Sequence, residues 1–234
     1  MPKTFSRDLA RANLKRGEGE EKMATENSSR PLKHYTSIKN LFKILDAGYL
    51  LLSSPEKWDD INDQTGLQAF CRLKGKGIKA GVLSFANGEE SIHHWEAFDK
   101  DKNGDSCAIS FDRDEILKQA KGNNFLCKGM TYKQKITAKE LKNMDYDEIP
   151  FLKLNQFKCE SEYRIIWFGK GKVPRISFKR EAIKRITLSP KIPKTKCEKL
   201  QDEIEKKYGI KPVLARAMEN GPWIRMLNQL GRRG

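Results

Sequence analysis

Long apolar runs are missing from this 234-residue sequence. No stretch approaches the ~18 consecutive apolar residues of a membrane-spanning helix, which excludes one. Metal-ligand and disulfide spacings are missing too. Five cysteines (Cys71, Cys107, Cys127, Cys159 and Cys197) lie far apart without a C-x-x-C pair, and there are only three histidines. That usage excludes a zinc site or disulfide framework and reads as reduced thiols in a cytoplasmic protein. The motifs G-x-x-x-x-G-K, G-x-G-x-x-G, G-x-S-x-G and H-E-x-x-H are all absent, so common nucleotide-fold, hydrolase and metalloprotease readings have no support. Residues 1–22 have no apolar core, so no secretory signal is expected. Asp8, Glu18, Glu20 and Glu21 argue against an Arg-rich transit peptide.

What is abundant is charge. Charged residues make up 33% and hydrophobic ones 38%, with a net charge of +15, which describes a moderate core under solvated helices and loops. The charge is uneven. Residues 170–234 carry 18 Lys or Arg against 6 Asp or Glu, whereas residues 81–115 carry 9 acidic residues against 3 basic. Such a directional field favours docking on a polyanion, and the expected partner is nucleic acid, RNA or DNA.

Residues 1–30 read as a flexible arm, polar and closed by Asn27-Ser28-Ser29-Arg30-Pro31. A single α+β domain over 31–234, with a basic C-terminal third, is expected to follow. Ile38, Leu41, Phe42 and Leu45 recur at helical spacing, so a helix is predicted over 38–47, with Thr36 or Ser37 as its cap and Gly48 as its stop. Tyr49–Leu52, Gly81–Phe85, Ala108–Phe111, Lys128–Lys135, Tyr163–Phe168 and Ile186–Leu188 read as strands. Pro55–Asp63 reads as a loop. Further helices are predicted over Arg113–Lys121, Ala138–Met144, Lys179–Arg185, Cys197–Tyr208 and Trp223–Leu230.

Three segments could carry chemistry. His34 and Thr36, flanking Tyr35, share one side of an extended segment and can together hydrogen-bond adjacent hydroxyls of a ribose; the alternative is that they only start the helix. In Glu160-Ser161-Glu162, which leads into the most apolar strand, a period of two puts both carboxylates on one side, where they can divide acid, base and electrostatic roles. The alternative there is an ion pair between Glu162 and Arg164. His93-His94-Trp95-Glu96 suggests a metal at first sight, but adjacent histidines rarely ligate one ion and no third ligand lies at helical spacing. Trp95 and Phe98 read instead as walls of a core or pocket, and no metal is expected.

Taken in order, His34-Tyr35-Thr36, the short helix with Gly48, Asn62-Asp63, Val82–Phe85, Trp95, the stretch from Gly104 to Phe111 and Glu160–Arg164 form a pattern over about residues 32–190. It resembles a widespread bacterial H-Y-T…N-D…W…E-x-E-[YW]-R family and, more distantly, is similar to the ADP-ribosyltransferases. Two departures stand out: Gln64-Thr65-Gly66 follows Asn-Asp, and Phe98 replaces a tyrosine. The resemblance implies a split mixed or antiparallel sheet with peripheral helices and NAD as a substrate. It implies ribose contacts by His34 and Thr36, and a cofactor-binding set that also includes Tyr35, Asn62, Asp63, Ser84, Phe85 and Trp95, with Ser84 and Phe85 flanking the nicotinamide pocket. Glu162 becomes the catalytic carboxylate and Glu160 the residue that positions or deprotonates the acceptor; Glu162→Gln is expected to abolish activity while leaving folding and NAD binding nearly intact. Lys179, Arg180, Lys184 and Arg185 would hold the nucleic acid on one helix. An enzyme of this kind suits a toxin in phage defence, with an antitoxin protein as partner. A non-enzymatic nucleic-acid-binding protein and an NAD glycohydrolase remain the other readings.

Overall fold

The computed structural model describes residues 30–58, 60–99 and 103–215, with positions 226, 227 and 229. The expected arm, apart from Arg30, and most of the helix expected over Trp223–Leu230 lie outside the described residues. From Pro31 onward the chain belongs to one unit.

The first strand, β1 (Leu32–Ser37), runs straight into α1 (Ile38–Ala47). Ser37, not Thr36, caps the helix by accepting from the Asn40 amide at 3.2 Å, and Gly48 at φ 67° ends it. Next come β2 (Tyr49–Leu51) and α2 (Ile61–Lys74). The second helix overturns the loop expected through Asp63. Asp60 accepts from the amides of Asn62 and Asp63, and Leu67 and Phe70 bury the inner face, so a run of turn-forming residues starts a helix instead. The remaining elements are β3 (Lys79–Ala86), α3 (Ile92–Phe98), β4 (Ser106–Phe111), α4 (Arg113–Leu117), β5 (Phe125–Gly129), β6 (Thr131–Lys133), α5 (Ala138–Lys142), β7 (Leu152–Leu154), β8 (Glu162–Gly169), β9 (Arg175–Ser177), β10 (Ile183–Leu188), α6 (Lys194–Tyr208) and β11 (Val213–Leu214). The strand expected over Lys128–Lys135 is two strands, interrupted at Met130, whose amide bonds the Glu162 carbonyl.

Seven strands form one mixed sheet in the order β11-β10-β4-β1-β3-β8-β5, parallel only between β10 and β11. The class is α+β, as the irregular alternation of elements predicted. In the β3/β8 register, Phe85 faces Tyr163 and Leu83 faces Ile165. These four join Leu32, Ile109, Phe111, α1 and α6 in the larger core. The alternate positions, Ser84 with Arg164 and Val82 with Ile166, face the other way, where Val82 and Ile166 pack with Leu67, Met130 and Phe151. β1 pairs with β4 through all six of its residues but with β3 only at Lys33 and Ala86. The sheet therefore opens between β1 and β3.

The helix expected over Lys179–Arg185 is not formed. Residues 180–182 make one 3-10 turn and Ile183 starts β10, because Ile186 and Leu188 are core residues that must alternate against Ile109 and Cys107 of β4. Among the described residues, no helix is long and apolar enough to cross a membrane.

Gly104 anchors the start of β4. It sits at φ 70° with its N–H donated to the Asp99 carboxylate at 3.0 Å, and an added Cβ would stand 2.5 Å from the Ile192 backbone. Gly104→Ala is expected to lower unfolding free energy by roughly 2–4 kcal/mol in urea denaturation, from the left-handed backbone and the collision together.

Candidate active site at the split of the sheet

At the opening, the His34 ring reaches across to β3. Its Nδ1 lies 3.2 Å from the Ser84 carbonyl. A carbonyl only accepts, so Nδ1 carries the proton and Nε2 presents a lone pair. Burial lowers the pKa of His34 and outweighs the opposing bond to Ser84, so the ring is neutral near pH 7. The Phe85 ring meets it edge-on at 5.9 Å. His34 and Thr36 share a cavity of about 500 Å³ with Asn40, Lys43 and Tyr49, so the expected common side of these two residues holds. Asn40 and Lys43 were not singled out in the sequence, although their spacing of three residues on α1 puts them on one helical face. Tyr35 alternates to the opposite side, stacked on His94 at 4.9 Å and meeting the fully buried Trp95 edge-on at 5.0 Å.

Glu160 and Glu162 do not follow a period of two. Glu160 ends a 3-10 helix (Asn155–Glu160), Ser161 adopts φ 42° and ψ 48°, and the strand starts at Glu162. Ser161 is the one described non-glycine residue in this left-handed region. Its neighbours hold the turn in place. The Asn87 amide donates to the Ser161 carbonyl at 2.8 Å, the His94 ring donates Nε2–H to the Glu160 carbonyl at 2.8 Å, and the Glu162 amide donates to the Tyr132 hydroxyl at 2.9 Å. The carboxylates meet anyway, on Lys153: its Nζ lies 2.6 Å from Glu160 Oε2 and 3.1 Å from Glu162 Oε2. Nothing in the local sequence marks Lys153, which sits on β7.

Behind them lies a buried charge cluster. Arg164, 1% exposed, donates Nε to Glu162 Oε1 at 2.7 Å and Nη2 to Asp63 Oδ2 at 2.6 Å. It also donates Nη1 to the Pro150 carbonyl at 3.0 Å. The alternative reading of Glu162 as the ion-pair partner of Arg164 is thus realised. Burial by itself would raise the Glu162 carboxyl, but the charge and hydrogen bonds of Arg164, with Lys153 and a Ser84 hydrogen bond, bring it down to about 2. Asp63 belongs to this cluster, whereas Asn62, one residue earlier in the same helical turn, is exposed. Asp63 is also the link from α2 to β8.

The four basic residues expected on one helix are dispersed. Arg180 donates Nη2 to the Gly209 carbonyl at 2.5 Å, and Lys184 pairs with Asp112 at 2.9 Å. Lys179 is exposed, and Arg185 lines a separate cavity.

No family model matches the chain, and no curated protein matches it. Three solved structures of DarT from Thermus sp. 2.9 do. The structure in complex with NAD+ is 14% identical, covering 81% of this chain and 96% of that one at a TM-score of 0.41. The structure in complex with ADP-ribosylated ssDNA is 12% identical, covering 81% and 95% at 0.43, and the carba-NAD+ complex is 14% identical, covering 81% and 96% at 0.40.

The cluster joins three carboxylates (Asp63, Glu160, Glu162) to two cations (Lys153, Arg164), so losing a cation unbalances it more than losing a carboxylate. Arg164→Met is expected to cost about 3–5 kcal/mol of stability. Glu162→Gln should cost about 1–3 kcal/mol, the loss of charged hydrogen bonds, and so is not neutral for the fold. The folded carboxyl of Glu162 is depressed, so its contribution is complete above the ordinary value of 4.5 and disappears as pH falls towards about 2. Urea titrations over that range should show the gap between wild type and Arg164→Met closing as the pH drops.

Proposed function

We propose that this chain is an ADP-ribosyltransferase that uses NAD as substrate and nucleic acid, RNA or DNA, as acceptor. The observation that carries the reading is Ser84. Its carbonyl accepts from the His34 ring, which lies on one face of the sheet, and its hydroxyl hydrogen-bonds the Glu162 carboxylate on the other, so one residue of β3 touches both groups where the sheet opens. A neutral imidazole with a free Nε2 can accept from a ribose hydroxyl, with the Thr36 hydroxyl beside it. An ionised carboxylate stabilises positive charge that builds on the ribose ring as nicotinamide departs, and stabilises it more than the ground state. Glu160, more exposed and tied to Lys153, is suited to orient or deprotonate the acceptor. The cavity of about 500 Å³ beside His34 and Thr36, which Glu162 does not line, is large enough for part of a dinucleotide.

The charge of +15 supports a nucleic-acid acceptor. A cytoplasmic toxin in phage defence, restrained by an antitoxin protein, is the biological setting that the resemblance implies. One observation favours a different reading. Both Glu162 oxygens are engaged by Arg164 and Lys153, as expected for a structural brace in a non-enzymatic nucleic-acid-binding protein.

Labelled NAD, incubated with the protein and with single-stranded DNA, RNA or neither, separates the readings. Label on nucleic acid supports the transferase, free ADP-ribose alone supports a glycohydrolase, and no NAD consumption supports the binding protein. Glu162→Asp keeps the cluster's charge while withdrawing the carboxylate, and should slow NAD consumption on the order of 100-fold with an intact fold. His34→Ala should weaken NAD binding by about 1–2 kcal/mol in calorimetry, and unchanged affinity would return His34 to a packing role.

A further inference from the structure

A second cavity, of about 810 Å³, lies at the other end of the sheet, between β10, β11 and α6. Its wall carries two cations from different elements, Arg185 on β10 and Lys211 just before β11, beside Thr187 and Gln201. Arg185 is exposed and forms no ion pair among the described residues, whereas Lys211 is within 3.3 Å of Glu205 at a largely exposed site. The Gln201 amide is fixed by donating to the Pro212 carbonyl at 2.8 Å. One carboxylate, Glu90, also lines the cavity; it accepts the Trp95 indole N–H at 2.7 Å.

We propose that this cavity is a phosphoryl-binding site, with a single-stranded nucleic-acid backbone as its occupant. An unpaired guanidinium is a planar fork that matches two phosphoryl oxygens, and a flexible ammonium beside it adds a point charge. The Thr187 hydroxyl is a neutral donor within the same wall. Position favours the nucleic acid. Thr187 faces Ala108, which faces Tyr35 on β1; Lys33, two residues earlier on that strand, faces Ala86, which in turn faces Glu162. Directly paired residues share a side, so the cavity and Glu162 lie on one face of the sheet, four strand spacings and two residues, or at least roughly 20 Å, apart. A strand of several nucleotides spans that distance. The pyrophosphate of a dinucleotide offers the same chemistry, and the experiment distinguishes the two sources. The choice of occupant rests on the role proposed for Glu162, but binding needs no turnover, so failure of this site and failure of the enzymatic reading are read separately.

Two double variants with the same loss of charge test it. Arg185→Gln with Lys211→Gln empties the cavity of cations; Lys179→Gln with Lys184→Gln removes two from the outer surface nearby. Thermal melts establish that each folds, and fluorescence anisotropy with a labelled single-stranded DNA 12-mer reads affinity from 50 to 300 mM salt. The cavity pair should lose on the order of 50-fold at 50 mM, and its log–log salt slope should fall by about 1.4, two phosphate contacts on a single strand. The surface pair should lose less than about threefold. If NAD affinity falls in the cavity pair while the 12-mer still binds, the site is phosphoryl-binding with the dinucleotide as its source. Equal losses from the two pairs would mean a diffuse field, and no loss of either ligand in the cavity pair would likewise overturn the site.

Discussion

Arg164 carries its charge on the most apolar strand of the chain, with only 1% of its surface exposed. A cation in that position is tolerable only when its donors are fully engaged by anions and carbonyls held in good geometry. Those partners come from α2 (Asp63), from the 3-10 helix ending at Phe151 (Pro150) and from the start of its own strand (Glu162). Neutralising one guanidinium therefore fixes two other segments against β8 and orders the start of β8 itself. Lys153 extends the brace to the Glu160 turn. Glu162 is held by the same contacts that hold the fold.

The opening between β1 and β3 complements that brace. With the two strands paired only at Lys33 and Ala86, the Ser84 carbonyl is taken by the His34 ring rather than by a neighbouring strand. A side chain satisfying a main-chain acceptor lets the sheet part without leaving a buried polar group bare. It also fixes the tautomer of His34, leaving Nε2 as an acceptor. The polar residues at the opening thus have structural work to do whether or not a substrate is present.

Much of the secondary structure was legible because it depends on local pattern. The apolar spacing of Ile38, Leu41, Phe42 and Leu45, with Ser37 and Gly48 at its ends, was enough to delimit α1. The aromatic and β-branched run after Glu162 likewise identified the central strand. Local pattern failed where a residue type has two uses. The acidic run before Asn62 looked like a turn because Asp and Asn favour turns, but the same side chains cap helices, and burial of Leu67 and Phe70 decided for the helix. Lys179 to Arg185 looked helical because lysine and arginine tolerate a helix, but β4 offered Ile186 and Leu188 a place in a core.

The sequence by itself determined the α+β class, the strand that carries Glu162, the common side of His34 and Thr36 and the excess of positive charge, because each depends on composition or on spacing within a few residues. Only the tertiary structure decided that Lys153 joins Glu160 to Glu162, that Ser84 links Glu162 to His34, and that Arg185 stands with Lys211 rather than with Lys179 and Lys184. Ser84 is far along the chain from both His34 and Glu162, and Lys153 reaches Glu160 across a 3-10 helix, so these placements are set by strand order and by the need to neutralise a buried guanidinium. Spacing along a sequence carries no information about either.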